Sequence, residues 1–126
     1  MNSLLLVAHG SRREASNNEI RNLARTMQRN SGNRFGEIGC AFLELAEPSI
    51  PDGIRQCIER GATRVTVFPY FLAAGRHVTT DIPAEVDKIS KQYPDTLITI
   101  ATHLGASGAM SELILEQAGH QRGDEP

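Results

Sequence analysis

The sequence predicts an α/β domain built on a four-stranded parallel sheet with helices on both faces. Short apolar or β-branched runs alternate with stretches whose apolar residues recur at helical spacing, and the alternation occurs four times in 126 residues. No repeat, linker or low-complexity segment interrupts it. This pattern is typical of a three-layer domain with right-handed crossovers. We expect a single domain over residues 1–118 and a polar, frayed tail over residues 119–126.

Composition narrows the classes of function. The hydrophobic fraction is 40%, and no apolar run approaches the ~18 residues of a membrane span. The net charge is −2 with scattered basic residues, which argues against a nucleic-acid partner. The run Leu4–Ala8 is too short for a secretory signal, and Cys40 and Cys57 have no C-x-x-C spacing. We therefore expect a soluble, cytoplasmic protein with two small buried thiols that binds neither nucleic acid nor membranes.

The first strand is predicted over Ser3–Ala8, a continuous apolar run of the kind found in central strands covered on both faces. Ser16 and Glu19 are placed to form a capping box at the start of the following helix, unless that helix begins a few residues earlier. The apolar face of that helix comprises Ile20, Leu23, Ala24 and Met27.

The second strand is predicted over residues 37–45, where apolar residues alternate. Pro48, Ser49 and Pro51 then open a second helix, which Gly61 is placed to end. One side of this helix carries Ile50, Ile54, Cys57 and Ile58.

The third strand, Val65–Val67, leads into a loop of about ten residues, which is longer than a routine strand-to-helix connection. Such loops usually bind something. We expect His77 to lie on this loop with Gly75 as a possible hinge, and Thr79 or Thr80 to cap the next helix. Pro83 suits the first turn of that helix, whose buried face is predicted to be Ile82, Val86 and Ile89.

The fourth strand is predicted over residues 97–101, followed by a turn at Leu104-Gly105. A last helix should place Met110, Leu113 and Ile114 inward, and His120 receives no role. The expected strand order is 2-1-3-4, the flavodoxin-like arrangement, in which the crevice opens between the carboxyl ends of strands 1 and 3.

Four candidate functional residues then fall at one edge of the sheet. His9 ends strand 1, Glu44 ends strand 2, His77 follows strand 3 and His103 follows strand 4. Imidazoles beside a carboxylate suit a divalent metal such as cobalt, iron, nickel or zinc. For His103 a structural role in the following turn is preferred.

Each candidate has a structural alternative. His9 could tie the strand end to a carbonyl group, and Glu44 could cap the second helix. Arg12 and Arg76 are either solvated surface charge or, beside an anion-binding crevice, groups that bind carboxylates together with Ser11. A phosphoryl-acceptor role for His9 at a helix N-terminus is the weaker interpretation, because Ala8 stands where histidine phosphatases carry an arginine.

Three segments together resemble the short-form sirohydrochlorin chelatases, which are type II chelatases. They are Val7–Arg12, Ala41–Glu44 with Pro48-Ser49, and Phe68–Pro83, and the resemblance extends over about residues 4–118. It implies a chelatase-like fold and ATP-independent insertion of Co²⁺, Fe²⁺ or Ni²⁺ into a tetrapyrrole, with the metal as substrate and no permanently bound cofactor.

The same resemblance implies that His9 and His77 bind the metal and that Glu44 is the family's acid. It also implies a homodimer, because related longer chains hold the tetrapyrrole between two such lobes. Ser11, Arg12 and Arg76 are candidates for the peripheral carboxylates of the tetrapyrrole. Relatives often carry a histidine soon after the Leu-Gly pair near the fourth strand, whereas Ala106 follows here. The alternatives are a non-enzymatic metal or tetrapyrrole carrier and a histidine phosphotransfer domain.

Overall fold

The computed structural model describes residues 1–120 and contains one parallel sheet in the order β2-β1-β3-β4. Its strands are β1 (Asn2–Ala8), β2 (Glu37–Phe42), β3 (Arg64–Pro69) and β4 (Leu97–Ile100). In the centre of the sheet, Leu5 of β1 lies opposite Gly39 of β2 and Val67 of β3. The predicted fold class and strand order are confirmed.

Within residues 1–120, four α-helices and two short helical turns accompany the strands. The helices are α1 (Glu14–Asn30), α2 (Ile50–Glu59), α3 (Ile82–Ser90) and α4 (Met110–Ala118). A π-helical turn, His77–Asp81, leads directly into α3, and a 3-10 turn, Leu104–Ala106, follows β4. No helix within residues 1–120 is both long and apolar enough to cross a membrane.

The core has two parts because the side chains of β1 point alternately to the two faces of the sheet. Leu5 and Val7 pack in a cluster with apolar residues of α2 and α3, whereas Leu4 and Leu6 pack with Ala24 of α1. Val7 is fully buried. The continuous apolar sequence of β1 follows from this, since both of its faces are covered.

The start of α1 agrees with the alternative of an earlier helix, and the prediction of a capping box at Ser16 and Glu19 is wrong. The helix begins earlier, at Glu14, so both residues lie inside it. Asn17 stabilises the preceding turn instead: its buried side chain accepts a hydrogen bond from the Ser11 N–H (2.9 Å) and donates one to the Ser11 carbonyl (2.8 Å). A buried amide that satisfies two backbone groups in this way fixes the path of the chain after β1.

The start of α2 agrees with the sequence. Ser49 is its N-cap, and the hydroxyl oxygen of Ser49 accepts a hydrogen bond from the Asp52 N–H at 3.2 Å. Gly61, with a φ of 105°, follows the helix in a conformation that favours glycine.

The third crossover is more helical than predicted. Thr79 and Thr80 do not cap α3, because they lie within the π-helical turn that precedes it. Pro83 does lie in the first turn of α3. The predicted buried face of α3, made by Ile82, Val86 and Ile89, is confirmed.

The predicted last helix is present as α4, but the prediction that Met110, Leu113 and Ile114 point inward is wrong. Leu113 and Ile114 are exposed by 49% and 59%, and no residue of α4 is buried. The Gly105 N–H donates a hydrogen bond to the Phe71 carbonyl (3.0 Å), which fastens the 3-10 turn to the loop after β3. The chain therefore leaves the sheet at its carboxyl edge, and α4 does not return to cover it. Residues 121–126 of the predicted tail lie outside the described part of the chain.

Both thiols are free. Cys57 is buried, as predicted, but Cys40 is partly exposed. Burial raises the pKa of each thiol above its ordinary value. Their neutral form is therefore favoured in the folded protein.

Candidate metal-binding site

The loops after β1 and β2 are held together by backbone contacts at the carboxyl edge of the sheet. The Glu44 N–H donates a hydrogen bond to the His9 carbonyl at 3.0 Å. Gly10 has a φ of +95°, and a Cβ atom at this position would lie 1.7 Å from the Glu44 carbonyl oxygen. Only glycine permits this approach, and the approach places Glu44 beside His9.

The side chains of His9 and Glu44 form the first half of the site. His9 Nε2 lies 3.0 Å from Glu44 Oε2, and His9 Nδ1 lies 3.0 Å from the Gly10 carbonyl oxygen. A carbonyl oxygen only accepts, so it holds a proton on Nδ1. In the neutral imidazole the Nε2 lone pair then faces the carboxylate. A cation between them, either a proton or a metal ion, stabilises two electron-rich atoms at this distance.

Both structural alternatives for this pair can now be assessed. The Gly10 carbonyl does bind His9, as that alternative supposed, but it engages Nδ1 and leaves Nε2 for Glu44. Glu44 does not cap α2, because Ser49 does.

His77 and Asp81 form the second half. His77 Nδ1 lies 2.9 Å from Asp81 Oδ2, four residues further along the π-helical turn. The carboxylate accepts the Nδ1 proton, so the Nε2 lone pair of the neutral imidazole is left free for a ligand. Carboxylate–histidine pairs of this kind orient imidazoles that bind metals.

Two corrections concern this segment. His77 was predicted to lie on a loop with Gly75 as a possible hinge. It is instead the first residue of a helical turn that is continuous with α3. Asp81 was missed by the sequence analysis, although its spacing of four residues from His77 on a helical segment indicated the contact.

The two halves of the site are in contact through the imidazole rings of His9 and His77. The ring centroids of His9 and His77 are 4.7 Å apart with an interplanar angle of 63°, and the Phe71 ring lies 6.2 Å from that of His77. The side chains of His9 and His77 are 42% and 43% exposed. A ligand approaching the carboxyl edge can therefore reach both imidazoles.

An open depression of about 280 Å³ adjoins the paired histidines, and three carboxylates give it an acidic lining. The lining residues are Leu43, Glu44, His77, Asp81, Ala84 and Glu85. Negative charge in a concave surface raises the local concentration of divalent cations.

The remaining candidates lie around this edge without completing a ligand set. Arg12 and Arg76 are exposed. The Ser11 hydroxyl oxygen accepts a hydrogen bond from the Arg13 N–H at 3.0 Å. His103 precedes the 3-10 turn, and its carbonyl accepts from the Ala106 N–H. Within residues 1–120, no three His, Cys, Asp or Glu side chains are grouped so as to hold one ion.

The fold and this pairing define the class of the protein. It is a parallel α/β domain with two carboxylate-bound imidazoles at the topological switch point, the place where open α/β sheets bind ligands. The chain belongs to the CbiX family, whose family model matches residues 3–121.

Named relatives agree with this assignment. The chain is 31% identical to the sirohydrochlorin cobaltochelatase of Sulfolobus acidocaldarius, over 94% of this chain and 90% of that protein. It is 33% identical to the chloroplastic sirohydrochlorin ferrochelatase of Arabidopsis thaliana, over 93% of this chain and 51% of that one. The chain spans about half the length of several curated relatives that it matches, between 43% and 57%.

A solved structure shows the same fold. The sirohydrochlorin chelatase SirB from Bacillus subtilis subspecies spizizenii, in complex with cobalt, superposes with a TM-score of 0.83 at 26% identity. The alignment covers 94% of this chain and 50% of SirB.

Proposed function

We propose that this protein inserts a divalent metal ion, Co²⁺, Fe²⁺ or Ni²⁺, into sirohydrochlorin without ATP. The observation that carries the proposal is the edge contact between two imidazoles, each bound to its own carboxylate, with ring centroids 4.7 Å apart. Membership of the CbiX family and the named activities of the relatives support it. The ion is a substrate, and no permanently bound cofactor is required.

His9 and Glu44 are proposed to receive the ion. A metal ion replaces the proton between His9 Nε2 and Glu44 Oε2, whose separation of 3.0 Å suits two neighbouring ligands at ~2.0–2.2 Å from a shared ion. His77 presents its free Nε2 from the adjoining half of the site. Water and then the pyrrole nitrogens fill the other coordination positions, so weak, incomplete protein ligation favours release of the ion to the tetrapyrrole.

The two carboxylate–imidazole pairs also provide for the protons of the reaction. Insertion of a divalent ion forms bonds to the pyrrole nitrogens and releases two pyrrole protons. When the ion leaves His9 and Glu44, that pair can accept one of the protons. The pair of His77 and Asp81 can accept the other, since His77 Nε2 is unprotonated in the neutral ring. Solvent then removes both protons through the open edge.

Binding of the tetrapyrrole is proposed to need a second lobe. The depression of about 280 Å³ is slightly below the ~300–1,000 Å³ of pockets that enclose drug-sized ligands. A two-fold homodimer burying at least about 1,200 Å² would close the edge over the macrocycle. Ser11, Arg12 and Arg76 flank the entrance and are proposed to bind the peripheral carboxylates. We infer a cytoplasmic location from the two free thiols.

A steady-state assay with sirohydrochlorin and each of the three metals tests the proposal. Absorbance should show many turnovers per protein with at least one metal. Saturation at one equivalent would indicate a carrier instead. Acid-labile phosphate on His9 would indicate phosphotransfer, although the Glu44 carboxylate 3.0 Å from Nε2 opposes an incoming phosphate anion.

A further inference from the structure

A pocket of about 270 Å³ lies over the outer edge of β2, the strand at one end of the sheet. Residues of α1 and α2 form its two walls, and residues 37–40 of β2 form its floor. None of His9, Glu44 and His77 lines it, so the pocket is separate from the candidate metal-binding site. An edge strand presents backbone groups that have no partner in the sheet, and these groups shape what the pocket can bind.

The edge of β2 is capped at two positions and open between them. The Ile38 N–H donates a hydrogen bond to Gln28 Oε1 of α1 at 2.6 Å. Further along the strand, the Phe42 N–H donates one to the Pro48 carbonyl at 2.8 Å. Backbone groups of a strand point alternately to its two sides, so the N–H and the carbonyl of Cys40 point to the same outer side as those of Ile38 and Phe42. No loop or side chain of the described chain bonds to either group, so the floor of the pocket presents one free donor and one free acceptor from a single residue.

The walls of the pocket are basic. Arg21 and Arg25 extend from α1, Arg60 extends from α2, and Glu37 is the one carboxylate among the lining residues. Arg60 Nη1 lies 3.0 Å from Glu37 Oε2, so these two charges offset each other. Arg25 donates a hydrogen bond to Asn22 Oδ1 at 2.6 Å but forms no ion pair within residues 1–120. Its guanidinium is therefore available to an anionic ligand.

The positive charge of α1 acts at the floor of the pocket. Burial raises the pKa of the Cys40 thiol, and the charges of Arg21 and Arg25 act in the opposite direction. Arg21 is also held in place, because its guanidinium lies 5.2 Å from the centroid of the Phe42 ring and its Nη2 donates to the Glu47 carbonyl at 3.0 Å. A guanidinium that is already fixed loses little conformational freedom when an anion binds beside it.

These groups match a small molecule that carries a carboxylate next to a hydroxyl or ammonium group. One carboxylate oxygen accepts from the Cys40 N–H and from Arg25, and the neighbouring hydroxyl or ammonium group donates to the Cys40 carbonyl. A second carboxylate suits the positive lining, with Arg60 and the Gln56 amide as donors on the opposite wall. The volume of about 270 Å³ is just below the ~300–1,000 Å³ of pockets for drug-sized ligands, which favours a short carbon chain.

We propose that the pocket at the edge of β2 binds a small α-hydroxy or α-amino dicarboxylate. The site goes beyond the proposed function, since it shares no residue with the metal-binding site and lies at a different edge of the sheet. Addition of a longer peptide strand to β2 is opposed by the caps at Ile38 and Phe42, which leave only one residue open.

Titration of the metal-free full chain with L-malate and L-aspartate tests the proposal. Isothermal titration calorimetry should show saturable binding of at least one of them. Succinate, which lacks the hydroxyl and ammonium groups, should bind about fivefold more weakly because the Cys40 carbonyl is then left without a donor. In amide-detected NMR spectra of the same titration, the Cys40 amide signal should move on binding.

Two matched variants locate the ligand. Arg25→Gln removes the unpaired guanidinium and should lower the affinity for the tighter-binding dicarboxylate by at least about 10-fold. Arg29→Gln changes an arginine of the same helix that does not line the pocket, and its affinity should equal that of the wild-type protein. Both side chains are exposed, so melting temperatures should change little.

Several outcomes would overturn the proposal. They are the absence of saturable binding by either dicarboxylate, equal affinities in Arg25→Gln and Arg29→Gln, and succinate or inorganic phosphate binding as tightly as malate and aspartate. The last result would indicate a general anion site without the hydrogen bonds of Cys40. Amide shifts confined to the loops that carry His9 and His77 would place the ligand at the other edge and would also reject the pocket. None of these measurements depends on metal insertion, so the proposed function is tested separately.

Discussion

The imidazole of His9 meets that of His77 edge-on, with their ring centroids 4.7 Å apart, although the two residues follow different strands. Each ring is bound to a carboxylate: Glu44 comes from the loop after the neighbouring strand β2, and Asp81 comes from the same helical turn as His77. The contact between His9 and Glu44 thus depends on the strand order, whereas the contact between His77 and Asp81 depends only on local helical spacing.

Replacing either histidine should abolish most of the activity. His9→Ala removes the imidazole beside Glu44, and His77→Ala removes the one with a free Nε2, so we expect turnover to fall by more than about 100-fold in each. Melting temperatures should change little, because both side chains are more than 40% exposed. His103→Ala is the matched control and should retain most of the activity. Normal turnover in His77→Ala would remove the proposed role of the second half of the site.

The carboxylate behind His77 should matter through the orientation of the ring. Asp81→Asn removes the negative charge that holds the Nδ1 proton, and we expect turnover to fall by about 10–100-fold. Titration with Co²⁺ should show weaker binding in the same variant. Asp87→Asn changes an exposed carboxylate of α3 and serves as control. Equal turnover in the two variants would mean that Asp81 has only a structural role.

Glu44→Gln tests whether a negative charge at this position helps to hold the ion. The amide of Gln can donate to His9 Nε2, which occupies the lone pair that the metal needs. We expect the affinity for Co²⁺ to fall by at least about 10-fold, with little change in melting temperature, since the Glu44 side chain is 54% exposed. Isothermal titration calorimetry measures the affinity. An unchanged affinity would place the ion away from Glu44.

Metal affinity should depend on pH in a defined direction. Imidazole binds a metal only through an unprotonated nitrogen, and histidine in model peptides titrates near about pH 6.5. Lowering the pH protonates the ring, so Co²⁺ should bind more weakly at about pH 5.5 than at about pH 7.5. Titrations in the two buffers check the sign. If the affinities are the same, carboxylate or carbonyl oxygens hold the ion instead.

Two glycines in the loops of the site should respond differently to alanine. Gly10→Ala places a methyl group 1.7 Å from the Glu44 carbonyl oxygen at a φ of +95°, so the loops after β1 and β2 must separate. We expect a loss of at least about 2 kcal/mol in the free energy of unfolding, measured by urea denaturation. No atom outside its neighbours lies within 4 Å of the corresponding position at Gly75. Gly75→Ala should therefore leave the free energy of unfolding nearly unchanged, and equal losses in both variants would contradict this account.

The alternation of short apolar runs with stretches of helical spacing was enough to predict the sheet and its strand order. The continuous apolar run Ser3–Ala8 required a central strand covered on both faces, and parallel strands require right-handed crossovers. That order predicted that His9, Glu44 and His77 lie at one edge of the sheet. The resemblance to a family then gave these residues their expected chemistry.

Other features depended on contacts that apolar periodicity does not record. The pairing of His77 with Asp81 arises because the segment after Gly75 is a π-helical turn rather than a loop. The Asn17 side chain satisfies the turn after β1, so α1 begins before the predicted capping box.

The last helix shows most clearly where sequence information ends. Periodicity shows that Leu113 and Ile114 belong to an apolar face, but it does not show which surface covers that face. The 3-10 turn at Leu104–Ala106, fastened to Phe71 through Gly105, decides that α4 leaves the sheet. The sequence by itself determined that residues 110–118 form a helix with an apolar face. Only the tertiary structure decided that this face stays exposed within residues 1–120, because the 3-10 turn fixes the direction in which the chain leaves the sheet.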